Sequence, residues 1–489
     1  MYNYRIRIFT IGLIGAVTYY IYFIILFSRS LPDNDLWGYL AFGRCFWEDG
    51  YFPFHDIFSY MPTKSLWVYH EWLTGVFFYV IYKFSGSVGL QLLRYIVILL
   101  TLYLIYQTAL KRGGTPLTAA TVLIPTMLLI SFGYVPVRAQ IFTYLFFILT
   151  LYLLECTRKN HSWEILWWLL PIQILWCNMH GGFIAGLGLT GIYAFGELLS
   201  GKRFIPYIKF TMLATLVTLL NPYGIEYWLY IIKAIVMPRP DISEWMSVLT
   251  ALDNDYQRLP VYTYLLLALS CSFLVVFRKE INLTDIFILV VTIYLGAKHI
   301  RHNILFGIVF GSYVPVILKE QWEVWKKEYP PFSRFKWLPL SMPLVFLSFI
   351  YLIIYPPLSI PLAPSFTLVT PQELFPVGAV RWLKNKNVKG NILPHFDWGE
   401  YLIWTCYPEC RVAMDGRYET VYEDNVSQEY FDFLNGREKW DIFLKKYPHD
   451  IVLIMPKTKT HLLMQNQSSW SLAYSDSGCV LFLRNTDYK

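Results

Sequence analysis

Charge is scarce in this chain of 489 residues: Asp, Glu, Lys and Arg make up 15% of it, against 56% hydrophobic and 19% aromatic residues. A soluble protein of this length interrupts its apolar segments with charge every few positions. Here the whole run from Ile8 to Phe27 passes without one, and the mean hydropathy is +0.41. That composition sets aside a soluble globular protein and points to a membrane protein. Paired cysteine chemistry is also thin. The seven cysteines (Cys45, Cys156, Cys177, Cys271, Cys406, Cys410, Cys479) are odd in number and lack zinc-type spacing, so no Cys-based metal framework follows. Cys406 and Cys410 are the candidates for a pair outside the cell. A small-residue cleavage site is missing after Phe27, so the first apolar run reads as a signal anchor. Internal repeats are absent, and with them the inverted-repeat signature of a secondary transporter. A single basic face is lacking too. The net charge of +7 comes from small groups of Lys and Arg between apolar runs, which fits membrane orientation and not nucleic acid.

What is present is a series of apolar runs long enough to cross, at roughly 17 to 25 residues each. They lie near 7–28, 87–110, 116–134, 138–156, 164–180, 183–199, 204–221, 261–277, 282–297, 302–318 and 337–355, about eleven in all. With Arg5 and Arg7 on the cytoplasmic side, alternate loops should be basic. They are: Lys111-Arg112, Arg158-Lys159, Lys202-Arg203, Arg278-Lys279 and the Lys319 to Lys336 segment. An odd number of spans then leaves the region after Tyr355 outside. The shorter segments Trp72 to Phe84 and Tyr223 to Met237 read as interfacial or re-entrant helices on that same outer side.

Nearly every unusual polar cluster falls at the outer ends. The first outer loop, about 29–71, carries Asp33-Asn34-Asp35, Asp56 and His70-Glu71. Later ends carry Arg138 with Gln140, Asn178-Met179-His180-Gly181-Gly182, Asn221-Pro222-Tyr223-Gly224, Glu244-Trp245, and Lys298-His299-Ile300-Arg301-His302-Asn303. Each has a plainer use: an Asp can cap the helix after it, Pro and Gly make turns, and Arg and Lys reach for headgroups. Their concentration on one side is the signal, because ionisable groups near bilayer depth face a cavity, a partner or a substrate. A carboxylate in a water-poor site can act as a general base, and a cluster of cations can hold a phosphate as charge develops on it. Asp35 or Asp33 is then the candidate base. Arg138, Lys298 and Arg301 are candidate ligands of a departing phosphate, with Gln140, His180, His302, Glu71 and Asp56 as further substrate-binding positions. Asp33-Asn34-Asp35 and Asp253-Asn254-Asp255 also have the D-x-D spacing that can bind a divalent cation such as Mg or Mn. No cofactor is required by the pattern, and the metal ligands stay unassigned.

Past residue 355 the character changes. Pro356, Pro357, Pro361, Pro364, Pro371 and Pro376 mark a linker, after which short apolar runs alternate with polar helical stretches. Strands are predicted at Arg411–Met414, Ile451–Met455 and Cys479–Arg484, and helices at Phe431–Lys446 and Thr460–Gln465. Residues 356–489 thus read as an extracytoplasmic α/β domain. Asp397-Trp398-Gly399 and Asp415-Gly416-Arg417 lie at its turns, where Asp397, Trp398, Asp415 and Arg417 are either acceptor-binding positions or plain turn chemistry.

Taken together these motifs resemble the GT-C superfamily of polytopic glycosyltransferases. The first-loop stretch Asp33-Asn34-Asp35-Leu36-Trp37-Gly38-Tyr39-Leu40 with His70-Glu71-Trp72-Leu73 carries the likeness. It continues through Arg138-Ala139-Gln140, Asn178 to Phe183, Asn221 to Gly224, Arg301-His302-Asn303, Asp397 to Gly399 and Asp415 to Arg417. The resemblance implies a polytopic helical fold and a polyprenyl-phosphate-linked sugar as donor. It maps the catalytic base to the first-loop acid, Asp35 before Asp33. Members of the bacterial branch that these motifs resemble often have an aromatic residue and a His just after the first acidic cluster, a stretch that Gly38 and Tyr39 occupy here. The expectation is an integral membrane enzyme of cell-envelope glycan synthesis that transfers sugar, with inversion, to a glycan, lipid or protein acceptor. An oligosaccharide ligase or polymerase, and a non-enzymatic binder of lipid-linked glycan or envelope scaffold, remain the alternatives.

Overall fold

The structure, a computed structural model, describes residues 19–240, 242–276, 282–328 and 364–485. Two bodies pack together: a helical bundle built of residues up to 328 and a mixed α/β domain built of 364–485.

Among the described residues, six helices are long and apolar enough to cross a membrane. They are Trp72–Lys111, Pro116–Tyr134, Gln140–Asn160, Gly181–Leu199, Arg258–Val276 and Ile300–Val324. Their ends follow local chemistry. Thr115 caps the second through a capping box with Thr118, and Pro116 sits in its first turn, where no N–H is needed. Three expected spans appear as shorter helices: Leu169–Met179 behind a 3-10 turn, Ile205–Val217 and Leu283–Lys298. Of the run 7–28 the structure describes helix 19–27, and the run 337–355 lies outside the described residues. The segment Trp72 to Phe84 is not a separate interfacial helix. It continues into the span that follows, forming one 40-residue helix with a break at Gly86, whose φ of 58° suits glycine. The Ile225–Val236 helix has 12 residues, about 18 Å of length against a hydrocarbon core of ~30 Å.

Helix termini gather at two ends. At one, Arg112 and Arg158 hold Glu155, Glu197 and Asp285, with Arg158 2.9 Å from Asp285 and 3.1 Å from Glu197. These two arginines, expected as loop charges, therefore serve an internal ion network. At the other end Arg94 is fully buried with no carboxylate partner among the described residues. Its guanidinium donates to the carbonyls of Phe27 at 3.0 Å, Arg29 at 2.9 Å and Val135, tying two helix ends where backbone acceptors are left over.

The C-terminal sheet has strands β1 (Gly390–Pro394), β2 (Cys410–Val412), β3 (Ile451–Ile454), β4 (Trp470–Ser475) and β5 (Val480–Arg484). Their order is β2-β1-β3-β5-β4, parallel across β2, β1 and β3 and antiparallel beyond. β2, β3 and β5 fall at the predicted places. β1 is bounded by Gly and Pro, which read as punctuation, and edge strand β4 leaves Leu472 exposed, so neither showed a strand pattern. The predicted helix Phe431–Lys446 is two, Asp424–Leu434 and Trp440–Lys446, parted by Gly436 at φ 57°. Cys406 and Cys410 do not pair; all seven cysteines are free and buried.

The first loop completes this sheet. Ser59 bridges Val412 at the β2 edge and Thr63 bridges Tyr422; Val412 N donates to Phe58 O at 3.1 Å and Lys64 N to Val421 O at 2.8 Å. Arg417 locks the joint, donating twice to Asp415 at 2.8 Å and once to Asp56 at 2.7 Å. Side-chain exposure is 4% for Arg417 and 1% for Asp56. Removing one member of a buried ion network leaves the other uncompensated, at a cost of about 3 to 5 kcal/mol. Asp56→Ala should therefore lower the melting temperature of the purified protein by several degrees and expose the C-terminal domain to protease. An unchanged melt would show that this ion pair does not hold the two bodies together.

Candidate functional site

A cavity of about 550 Å³ opens where the bundle meets the C-terminal domain. Its polar end is organised by Arg138, in the short turn between two spans. Three acids from two segments converge on that guanidinium: from the first loop, Asp33 lies 3.1 Å from Nε and Asp35 pairs with Nη2, and Glu244 lies 2.5 Å from Nη1. Asp35 is the N-cap residue of helix Leu36–Glu48, yet its side chain makes no capping bond and is turned to Arg138 instead. Asp33 does the local work, accepting from Asp35 N at 3.1 Å. Burial pushes Asp33 up to about 7 in spite of Arg138. Burial also opposes the charge of Glu244, but Arg138 and Arg301 outweigh it and hold that carboxyl down at about 2. Among the acids, Arg138 occupies the centre that a cation would need, and no group of three or more His, Cys, Asp or Glu among the described residues is placed to hold a metal. Asp253 and Asp255 are exposed on the surface, Asp255 paired with Arg258.

A second cluster lies beside it. His180 Nδ1 accepts from Gly182 N at 2.8 Å. A backbone N–H can only donate, so in the neutral ring the proton sits on Nε2, which faces Glu71 at 3.5 Å. Glu71 also accepts from the Tyr39 hydroxyl at 3.1 Å. Burial, then the nearby Asp35, pushes Glu71 up to about 8, and burial brings His70 down to about 4. Asn178 braces this wall, accepting from Trp72 Nε1 at 2.9 Å and donating to Leu220 O at 2.9 Å. Asn221 to Gly224 is a turn that puts the Tyr223 hydroxyl 3.0 Å from Tyr69 N.

Further cations line the cavity beside these acids. Arg239 and Arg301 both lie over the Trp245 ring, 4.0 and 4.5 Å from its centroid, and Arg239 is engaged twice by Glu419 at 2.5 and 2.6 Å. Arg301 stands 4.0 Å from Glu244. Lys298 is exposed to the cavity and has no ion pair among the described residues. From this polar end an apolar arm runs between three helices, lined by Ile184, Leu189, Ile231, Ile235, Ile288 and Leu295.

Of the positions singled out in the sequence, Asp35, Glu71, Arg138, Gln140, His180, Lys298, Arg301, His302 and Arg417 line this one cavity. Asp33 lies behind Asp35. Asp56 and Asp415 are consumed by Arg417, and Trp398 is buried with its Nε1 donating to Leu374 O at 2.9 Å. Asp397 is half-exposed and away from the cavity. Residues not assigned from sequence are Glu244, Arg239, Glu419 and Glu400. Glu419 and Glu400 meet the cavity only through docking of the C-terminal domain, and nothing in their local sequence announces it.

No protein-family model matches the chain, and no curated protein sequence matches it. Solved structures do. An apo oligosaccharyltransferase from Archaeoglobus fulgidus aligns over 98% of this chain and 74% of its own, at 9% identity and a TM-score of 0.61. ArnT from Cupriavidus metallidurans, bound to undecaprenyl phosphate, aligns over 97% of this chain and 98% of its own, at 12% identity and a TM-score of 0.54. The chain has the GT-C fold. A. fulgidus AglB in complex with an inhibitory peptide and a dolichol-phosphate aligns over 94% of this chain and 71% of its own, at 10% identity and a TM-score of 0.54. A further structure of the A. fulgidus enzyme holds zinc and sulfate. Within this GT-C fold the cavity lies between the helical bundle and the C-terminal domain.

The raised Glu71 carboxyl has a measurable consequence. An unfolded Glu releases its proton near 4.5 while the folded one keeps it to about 8, so the native state binds more protons between those values and loses stability as pH rises through them. Glu71→Gln cannot ionise. Its melting temperature relative to wild type should climb steadily from pH 5 to pH 8; a difference that stays flat would mean Glu71 is solvated.

Proposed function

We propose that this protein is a membrane glycosyltransferase that moves a sugar from a polyprenyl-phosphate carrier to an acceptor outside the cytoplasm. One observation carries the reading: a single cavity joins a carboxylate, a set of cations and an apolar arm. The arm between the Ile184–Leu199, Ile225–Val236 and Leu283–Lys298 helices suits a prenyl chain lying along the bundle. Lys298 and Arg301, the cations least committed to carboxylates, would hold the phosphate and stabilise the charge that grows on it as the glycosidic bond breaks. Asp35 faces the same space. It would take the proton of an acceptor hydroxyl as the oxygen attacks the anomeric carbon from the side opposite the phosphate, with inversion. Asp33 would support Asp35 from behind through Arg138. The neighbours that bind dolichol-phosphate and undecaprenyl phosphate support the class of donor. The alternation of basic loops supports a cytoplasmic N-terminus and an outer location of the site. The acceptor class, glycan, lipid or protein, is left to the assay.

Purified protein reconstituted with radiolabelled polyprenyl-phosphate sugars and a membrane extract as acceptor pool tests this directly. Asp35→Asn should lower transfer at least about 100-fold, in line with loss of a general base, while Asp33→Asn should cost less. Arg301→Ala should weaken both donor binding and turnover. Absence of transfer by the wild type from every common donor, with lipid-phosphate binding retained, would replace the enzyme with a binding protein.

A further inference from the structure

Glu400 plays no part in the transfer just described, yet it reaches the same acid. It belongs to helix Gly399–Cys406 of the C-terminal domain, but its side chain lines the cavity and the residue is 5% exposed. Oε2 accepts from the Gly38 N–H at 3.0 Å. Any side chain at Gly38 would collide with that oxygen. On the other side, a Cβ added to Gly416 would lie 2.8 Å from Glu400 Oε1 and 2.9 Å from Asp35 Oδ1. The two carboxyls therefore close over one bare glycine. Arg138 holds the other oxygen of Asp35, Oδ2.

A group inserted only to anchor a domain would gain more from an apolar side chain here, because burying a carboxyl costs several kcal/mol unless it is well compensated. Glu400 has a single backbone donor for one oxygen. The charged groups around it are Asp35, Asp415 and Arg417. Burial first, then the two acids, push it well above the usual carboxylate range, against Arg417. It therefore carries a proton, and two carboxyls that share one point do so with one of them protonated.

We propose that Glu400 is a positioning residue for Asp35, delivered by the C-terminal domain, so that the transfer site is complete only when that domain is docked on the first loop. Each oxygen of Asp35 then faces a different body: Oδ2 pairs with Arg138 of the bundle, and Oδ1 faces the Glu400 carboxyl across the bare Cα of Gly416. A base held at both oxygens is confined to one rotamer, which is what orientation of the attacking hydroxyl requires. Gly38 is the opening that admits it, since a Cβ there would overlap Glu400 Oε2.

The kinetic consequence rests on the transfer reading above; the structural one does not. Glu400→Leu and Gly38→Ala should each lower kcat about tenfold or more with donor KM within about twofold of wild type. Glu400→Gln, which keeps an acceptor for Gly38 and a donor for Asp35, should recover most of that loss. A cryo-electron microscopy structure of Glu400→Leu in nanodiscs should show Asp35 turned away from Arg138 or split between rotamers. Wild-type kcat in Glu400→Leu, a loss in Glu400→Gln as deep as in Glu400→Leu, or an unmoved Asp35 overturns the role. So does a failure of both Glu400→Leu and Gly38→Ala to fold, which would make Glu400 an anchor. Should wild type transfer nothing while Asp35 still moves in Glu400→Leu, the enzyme reading falls and the positioning role stands.

Discussion

Arg138 carries one positive charge and three acids converge on it, Asp33 and Asp35 from the first loop and Glu244 from a loop far along the chain. At this depth the attraction is strong and the penalty for an unpaired charge is stronger. The cluster therefore does more than join three segments. It fixes where the first loop can lie, and the first loop in turn presents the edge on which the C-terminal sheet is built. Arg301, 4.0 Å from Glu244, and Lys298 are then the nearby positive groups least committed to carboxylates, and they make part of the cavity lining basic.

The two ends of the bundle treat buried charge differently. At the far end two arginines and three acids close on one another through direct contacts, which is architecture. At the cavity end the charges are satisfied through a shared partner, a backbone N–H or an aromatic face, and some face open space. Trp245 is the pivot of the basic wall: two guanidiniums rest over its ring and His299 Nδ1 lies 2.6 Å from its carbonyl. Arg239 is already paired with Glu419, whereas stacking holds Arg301 extended without neutralising it, a state suited to receiving an anion.

Much of this was legible in the sequence because long apolar runs and their punctuation are local. The run 116–134 coincides with the observed helix since Thr115 and Pro116 mark its start, and the cavity residues at helix ends were legible because alternating spans bring same-side ends together. The Gly86 break was less so: a glycine within apolar sequence does not say whether two helices are joined or parted. The C-terminal contribution was not legible at all. Glu400 meets Gly38 across 362 positions, Arg239 meets Glu419 across 180, and the role of Asp415 and Arg417 as a clamp on Asp56 depends on a docking that no local pattern encodes. Turn chemistry at Asp-Gly looked the same whether it served a hairpin or an interface.

The bridge that Ser59 makes to the β2 edge has a consequence for biogenesis. Ser59 and its partner Val412 are 353 positions apart. At ordinary rates of about 5 to 20 residues per second, the first loop waits roughly 20 to 70 s for the sheet it completes. During that interval the Asp56 carboxylate lacks Arg417 and has only the local Ser59 N–H, and when the sheet emerges its edge is open until the loop arrives. Assembly thus closes a circle from the beginning of the chain to its end, and the helices between them must already be in place for the ends to meet.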